Sequence, residues 1–423
     1  MSKWEWKTLQ DVCLMKIKDG THQTPTYCSP NNGFPFLSSK DITSEKINWD
    51  NIKYIIPDLH KELYAKIAPQ KDDILLAKNG TTGVAALVED DRVFDVYVTL
   101  AVLRPNQQVI LPNYLLRIVN SPICKSQFDA HLKGMGVPNL HLNEIQKVLI
   151  PVPPLSEQKR IVKFLDEEFS KIDTLKTNAE TNLKNAKELF ETTLEKELNP
   201  LSRHSERSEE SSADLPSGWE WKTLRELCIL RPSKNEALSH LKGTDEVSFL
   251  PMEDLNIRER NTIPHKSRAL SEVHGSYTFF AEGDVLLAKV TPCFENGKMG
   301  IASNLLNGVG FGSSEYIVFR TTKSMINSYL FYVLMSSRFI SGGKKQMLGA
   351  CGLKRLSKEY VESFQIPLPP LSVQKEIVAR LDKLSENVKR LEVNYKQIIA
   401  NCDELKKSIL KKTFEGDSRS SRE

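Results

Sequence analysis

The chain has 423 residues, 40% hydrophobic and 26% charged, with a formal net charge of +4 and a pI near 8.5. A chain of this length holds two or more apolar cores, and its composition excludes a wholly disordered or fibrous protein. The charge permits contact with a polyanion but falls short of a polybasic signature.

The first nine residues carry Trp4 and Trp6 among charges rather than an apolar leader, and no later segment reaches the ~20 apolar residues of a membrane span. Cys13, Cys28, Cys124, Cys228, Cys293, Cys351 and Cys402 stand singly, without the close pairs a zinc site needs. A cytoplasmic chain with reduced thiols, no bound metal and no membrane association is expected.

The opening residues return later in the chain. Trp4-Glu5-Trp6-Lys7-Thr8-Leu9 recurs letter for letter as Trp219-Glu220-Trp221-Lys222-Thr223-Leu224. Asp73 to Lys78 (DILLAK) answers to Asp284 to Lys289 (DVLLAK), and Ile150 to Asp166 matches Ile366 to Asp382 at 12 of 17 positions. Between these anchors the halves diverge, which suits a duplicated scaffold whose copies read different things; simple drift is the alternative.

Residues 1–155 form a first globular segment of mixed α and β character, with short apolar runs such as Ile74 to Ala77 and Val96 to Leu103 between polar turns. Pro153-Pro154 then stops the strand pattern, Ser156 is suited to an N-cap, and a long helix is predicted over 156–199. Its apolar seam includes Ile161, Leu165, Ile172 and Leu175, thinned by polar members such as Asn182. The Ser-, Glu- and Arg-rich stretch 200–214 reads as a linker. A second mixed segment spans 215–371, and a second helix, with Ser372 as its N-cap, spans 372–415 before a short tail at 416–423. Its heptad seam runs through Ile377, Leu381, Leu384, Val388, Leu391 and Ile398. Forty helical residues make a rod of about 60 Å, too long to bury inside a small domain. The simplest partner for each helix is the other copy, which gives a pseudo-two-fold internal repeat; an intermolecular coiled coil is the alternative.

No phosphate loop, dinucleotide fingerprint, H-E-x-x-H or G-x-S-x-G motif is present, and no catalytic residue is assigned. What the divergent middles do carry is Lys, Arg, Asn and Thr beside glycines, a combination that lets backbone approach phosphate while side chains reach base edges. In the first copy these are Lys78, Asn79, Thr81 and Thr82, then Lys133, Asn139 and His141; in the second they are Lys289, Thr291 and Lys298, then Lys344, Lys345, Lys354 and Arg355. An ordinary hairpin or solvated loop is the competing reading at each place.

At the Trp-rich opening, with Leu215-Pro216-Ser217-Gly218-Trp219 leading into its second copy, at the stretch Ile150-Pro151-Val152-Pro153-Pro154-Leu155-Ser156-Glu157-Gln158 and at the long helix after it, twice over, the chain resembles specificity subunits of type I restriction-modification enzymes. Two departures stand out: Ser2-Lys3-Trp4 lacks the Leu-Pro lead-in, and Val373 replaces the glutamate of the first copy. The resemblance implies two target recognition domains, each reading half of a split double-stranded DNA sequence, joined by two long antiparallel coiled-coil helices that set the spacing. It implies no cofactor on this chain. Two methyltransferase subunits using S-adenosylmethionine, and restriction subunits using ATP and Mg, would be its partners. A stand-alone DNA-binding adaptor and an enzyme with an unfamiliar site are the competing readings.

Overall fold

The computed structural model describes residues 4–42, 45–130, 132, 139–199, 215–349 and 352–415. The linker expected at 200–214 and the tail at 416–423 lie outside the described residues. The chain divides into two compact units, residues 1–180 with 396–423 and residues 181–395.

In the first unit the two recurring motifs meet as one ribbon. Glu5–Thr8 runs antiparallel to Leu149–Val152, placing Trp6 opposite Pro151. The second unit repeats this pairing: Glu220–Thr223 lies against Gln365–Leu368, with Trp221 opposite Pro367. A two-stranded ribbon tolerates these prolines because each strand has an open edge where a missing N–H costs nothing.

Each unit is centred on a strand buried at every residue, Ile74–Ala77 in the first and Val285–Ala288 in the second. The continuous apolar run has a physical cause: alternate side chains enter different cores. Ile74 and Leu76 pack with Tyr114 and Ile150, whereas Leu75 and Ala77 pack with Leu37 and Phe94. Val285 and Leu287 likewise face Tyr329 and Ile366, and Leu286 and Ala288 face Leu250 and Tyr316. Around the first strand the sheet order is Lys18–Asp19, Leu100–Leu103, Ile74–Ala77, Ala85–Leu87; around the second it is Cys228–Leu230, Tyr316–Thr321, Val285–Ala288, Met299–Ala302, Asn261–Thr262. A further four-stranded sheet completes each unit. At the start of each central strand a buried aspartate takes a two-point hydrogen bond from an arginine on its neighbour: Arg104 to Asp73 at 2.9 and 2.8 Å, Arg320 to Asp284 at 2.8 Å twice.

The two long helices are Leu155–Leu198 and Leu371–Phe414. Both begin one residue before the expected caps. The Pro154 carbonyl accepts from Gln158 N–H at 3.0 Å and the Pro370 carbonyl from Gln374 N–H at 3.0 Å, so the prolines take the cap positions and Ser156 and Ser372 lie inside the first turn. A proline fits there because a cap residue needs only its carbonyl.

The two helices pair with each other within the chain. In the first unit Lys176 and Lys406 reach Asp403 and Asp173 at 2.7 and 2.5 Å, and Phe414 packs edge-on to Tyr114. In the second, Arg380 binds Glu197 at 2.6 Å and Lys187 lies 4.0 Å from Glu392. Numbering rises along one helix as it falls along the other, so the segments are antiparallel in both units.

The seam is narrower than the heptad reading. Ile161, Leu165, Ile172, Ile377, Leu381 and Val388 are buried, Leu384 and Ile398 are half-buried, but Leu175 is 51% exposed and Leu391 39%. The buried line on the first helix continues through Ala179 and Ala186 to Leu194 and Leu198, while Asn182 is exposed. A single partner helix covers only a narrow stripe, and a helix of 3.6 residues per turn drifts away from a 3.5-residue pattern.

Candidate nucleic-acid interface

The loop after each central strand is where the copies diverge, and the structure joins it to the second candidate loop. In the first unit Leu140 N–H donates to the Lys78 carbonyl at 2.9 Å, and Asn79 and Asn139 form an antiparallel bridge. In the second unit Leu356 N–H donates to the Lys289 carbonyl at 2.8 Å, and Val290 and Arg355 form the equivalent bridge. Two stretches distant in sequence thus become one surface in each copy, held by matching main-chain bonds. By this match Asn139 stands where the second copy has Arg355.

The loop at 78–83 turns through Gly80 and Gly83 at φ of 75° and 85°, a backbone region open to glycine at little cost. Thr81 and Thr82 turn inward to hydrogen-bond the Ser39 and Lys78 carbonyls at 3.3 and 3.4 Å. Lys78 also turns inward: its side chain is buried and ion-paired with Asp19, which lies 3.3 Å from His22. His141 is exposed at the start of the short helix Leu142–Lys147. Lys133 lies outside the described residues.

In the second copy, Lys289 donates to the Ser314 carbonyl at 2.9 Å and lies 3.8 Å from Glu315; burial pulls its ammonium below the usual lysine range. Thr291 accepts from Lys354 N–H at 3.0 Å and so fastens the two loops together. Arg355 is exposed and forks onto Glu315 through Nε and Nη2, which holds the Glu315 carboxyl below the usual range. The Lys298 backbone closes this loop, its carbonyl accepting from Ala288 N–H at 3.0 Å, but its ammonium donates to the Met252 carbonyl at 2.8 Å. Lys344, Lys345 and Lys354 are exposed, with no ion-pair partner among the described residues; the first two close the helix Ser337–Lys345, immediately before the strand pair Met347–Leu348 and Arg355–Leu356.

Sequence reasoning missed the carboxylates Asp19 and Glu315 that answer the two loop lysines, because one lies in the strand Lys18–Asp19 and the other in the turn before Tyr316–Thr321. It also missed Gln158 and Gln374, both buried; their identity within the aligned P-P-L-S-x-Q-K stretch was the available signal. Among the described residues no group of three or more His, Cys, Asp or Glu could hold a metal ion, and no helix is long and apolar enough to cross a membrane.

The model of the type I restriction modification DNA specificity domain matches the chain at residues 1–185 and 216–399. The EcoAI specificity subunit of Escherichia coli, a type I restriction enzyme subunit, is 36% identical over 198 residues, or 47% of this chain and 33% of that protein. The match thus spans about a third of that relative, and 31% of the EcoEI subunit. The MjaX protein of Methanocaldococcus jannaschii, described as a subunit of the same kind, is 26% identical over 98% of this chain and 94% of its own. A chain solved in work on assembly and conformational transition of a type I R-M system has a TM-score of 0.72 at 23% identity over 99% of both chains, a likeness of fold. Matched separately over both of its repeats, the chain belongs to the type I restriction modification DNA specificity family.

Proposed function

We propose that this chain is the DNA-recognition subunit of a type I restriction-modification complex and carries no chemistry of its own. Two recognition domains, residues 1–155 and 215–371, each read one half of a split double-stranded target. The long helices at 156–199 and 372–415 set the spacing and dock two methyltransferase subunits. S-adenosylmethionine, ATP and Mg belong to the methyltransferase and restriction partners, and the complex works in the cytoplasm.

The observation that carries this reading is the joined loop surface. The bonds from Leu140 to Lys78 and from Leu356 to Lys289 are the same, while the side chains they present differ. A constant frame with variable side chains is what reading two different half-sites requires. Exposed lysines beside the frame supply phosphate contacts, and the loop side chains supply base contacts.

The test is single-molecule methylome sequencing of DNA from cells expressing the chain with its cognate methyltransferase, against the methyltransferase alone. A split motif methylated only when the chain is present supports the reading. No new motif despite a stable complex overturns it in favour of an adaptor.

A further inference from the structure

Resting on that reading, we propose that Arg355 reads a guanine in the half-site of the second recognition domain, and that Glu315 is the residue that positions it. Arg355 Nε lies 3.2 and 3.0 Å from the two Glu315 carboxylate oxygens, and Nη2 lies 2.8 Å from Oε1. One long edge of the guanidinium is therefore occupied. A guanidinium carries five N–H donors in a rigid plane. The remaining edge, Nη1 with the second hydrogen of Nη2, has no partner among the described residues. Two parallel donors on one edge match the O6 and N7 acceptors of guanine in the major groove and no other base.

The frame around the fork is fixed on both sides. Glu315 is itself flanked by Lys289, 3.8 Å away, whose ammonium donates to the Ser314 carbonyl. The residues on either side of Arg355 are tied to the opposite loop: Leu356 N–H to the Lys289 carbonyl at 2.8 Å, and Thr291 N–H to the Lys354 carbonyl at 3.0 Å. Backbone and side chain are thus set before DNA arrives, which removes part of the ordering cost of a flexible arginine. The Arg355 side chain remains 47% exposed, and the exposed Lys344, Lys345 and Lys354 stand nearby in sequence and strand pairing to hold phosphates.

The first repeat lacks this device. The position matching Arg355 is Asn139. The position matching Glu315 is Thr99, since the Lys78 and Lys289 amides donate to the Thr99 and Glu315 carbonyls at 2.8 and 2.9 Å. The guanine reading is therefore confined to one half of the target.

The experiment is methylome sequencing of the full chain with its methyltransferase, as wild type, Arg355→Ala, Arg355→Lys and Glu315→Gln. In Arg355→Ala, discrimination at one guanine position is expected to fall roughly 10- to 100-fold, with the other half-site unchanged. Arg355→Lys does not restore it, because an ammonium has no planar fork. Glu315→Gln relaxes the same position more weakly, with a melting temperature only slightly below that of wild type, since an exposed pair adds little to stability. An unaltered motif in the Arg355→Ala chain, relaxation at a base other than guanine, or a wild-type motif with no guanine overturns the inference while leaving the proposed function standing. Absence of any split motif in wild type overturns the proposed function instead. Should Arg355→Ala not fold, Glu315→Gln decides: relaxation at one guanine supports the assignment and an unchanged motif overturns it.

Discussion

The amide oxygen of Gln158 accepts the backbone N–H of Leu111 at 2.8 Å, while its amide nitrogen donates to the Val109 and Pro153 carbonyls at 2.9 and 2.8 Å. Gln374 repeats all three bonds, with Ile326, Ser324 and Pro369 at 2.9 Å each. Both side chains are fully buried. Each therefore locks the first turn of a long helix to the loop that leads into the helix Pro112–Val119 or Asn327–Met335.

Truncating either glutamine leaves three backbone groups without a buried partner. Gln158→Ala and Gln374→Ala are each expected to destabilise the chain by about 2–4 kcal/mol. Thermal unfolding checks this, with the exposed neighbour Lys159→Ala as the comparison. A melting temperature equal to that of Lys159→Ala would show that the clamp contributes nothing.

The duplication, the mixed α/β class and the long helices were legible because apolar periodicity and recurring letters report directly on burial. Ile377 and Leu381 fell on the seam for that reason. Leu175 did not: periodicity marks a face, but how much of that face is covered depends on the width of whatever packs there. The candidate loops were legible as places, since composition marks turns. The direction in which Lys78 points was not, because Asp19 lies 59 residues away in sequence and nothing local announces it. The bridge from Asn139 to Asn79, which makes one surface out of two loops, is likewise long-range.

That inward turn separates the lysines into two kinds. Lys78→Ala removes the partner of a largely buried Asp19, so a loss of about 1–3 kcal/mol in stability is expected with little change in the salt dependence of DNA binding. Lys344→Ala, Lys345→Ala and Lys354→Ala are expected to leave melting unchanged and to flatten the slope of log K against log salt by about one unit for each phosphate no longer neutralised. Binding titrations across salt concentrations, paired with melting curves, distinguish them. A flattened slope for Lys78→Ala without a stability loss would mean that its charge faces DNA.

Glu315 gives an acid-range signature. Its carboxyl sits below the ordinary 4.5, chiefly through the hydrogen bonds from Arg355. A folded-state value below the unfolded one means that the stabilisation is fully present above the unfolded value and is lost as pH falls through the folded one. Melting temperatures of wild type and Glu315→Gln are expected to differ by a small constant amount above about pH 5 and to converge below it. Divergence on acidification would reverse the sign and remove Glu315 as an ionised partner of Arg355.

The long helices separate folding from docking in the same way. Leu165 and Leu381 are fully buried, each within the core of its own unit, so Leu165→Ala and Leu381→Ala should each cost about 2–5 kcal/mol. Leu175 and Leu391 are exposed leucines on helices whose own seam passes beside them. Replacing either by alanine should shift stability by no more than about 0.5 kcal/mol. If the helices carry the methyltransferase subunits, these side chains are covered only in the complex, and a charge there has to be desolvated against an apolar partner. Leu175→Glu and Leu391→Glu are thus expected to melt as wild type yet to lose co-purification with the methyltransferase, whereas glutamate at the neighbouring exposed Thr174 is expected to keep it. Retained co-purification in both leucine variants would move the docking surface off these faces of the helices.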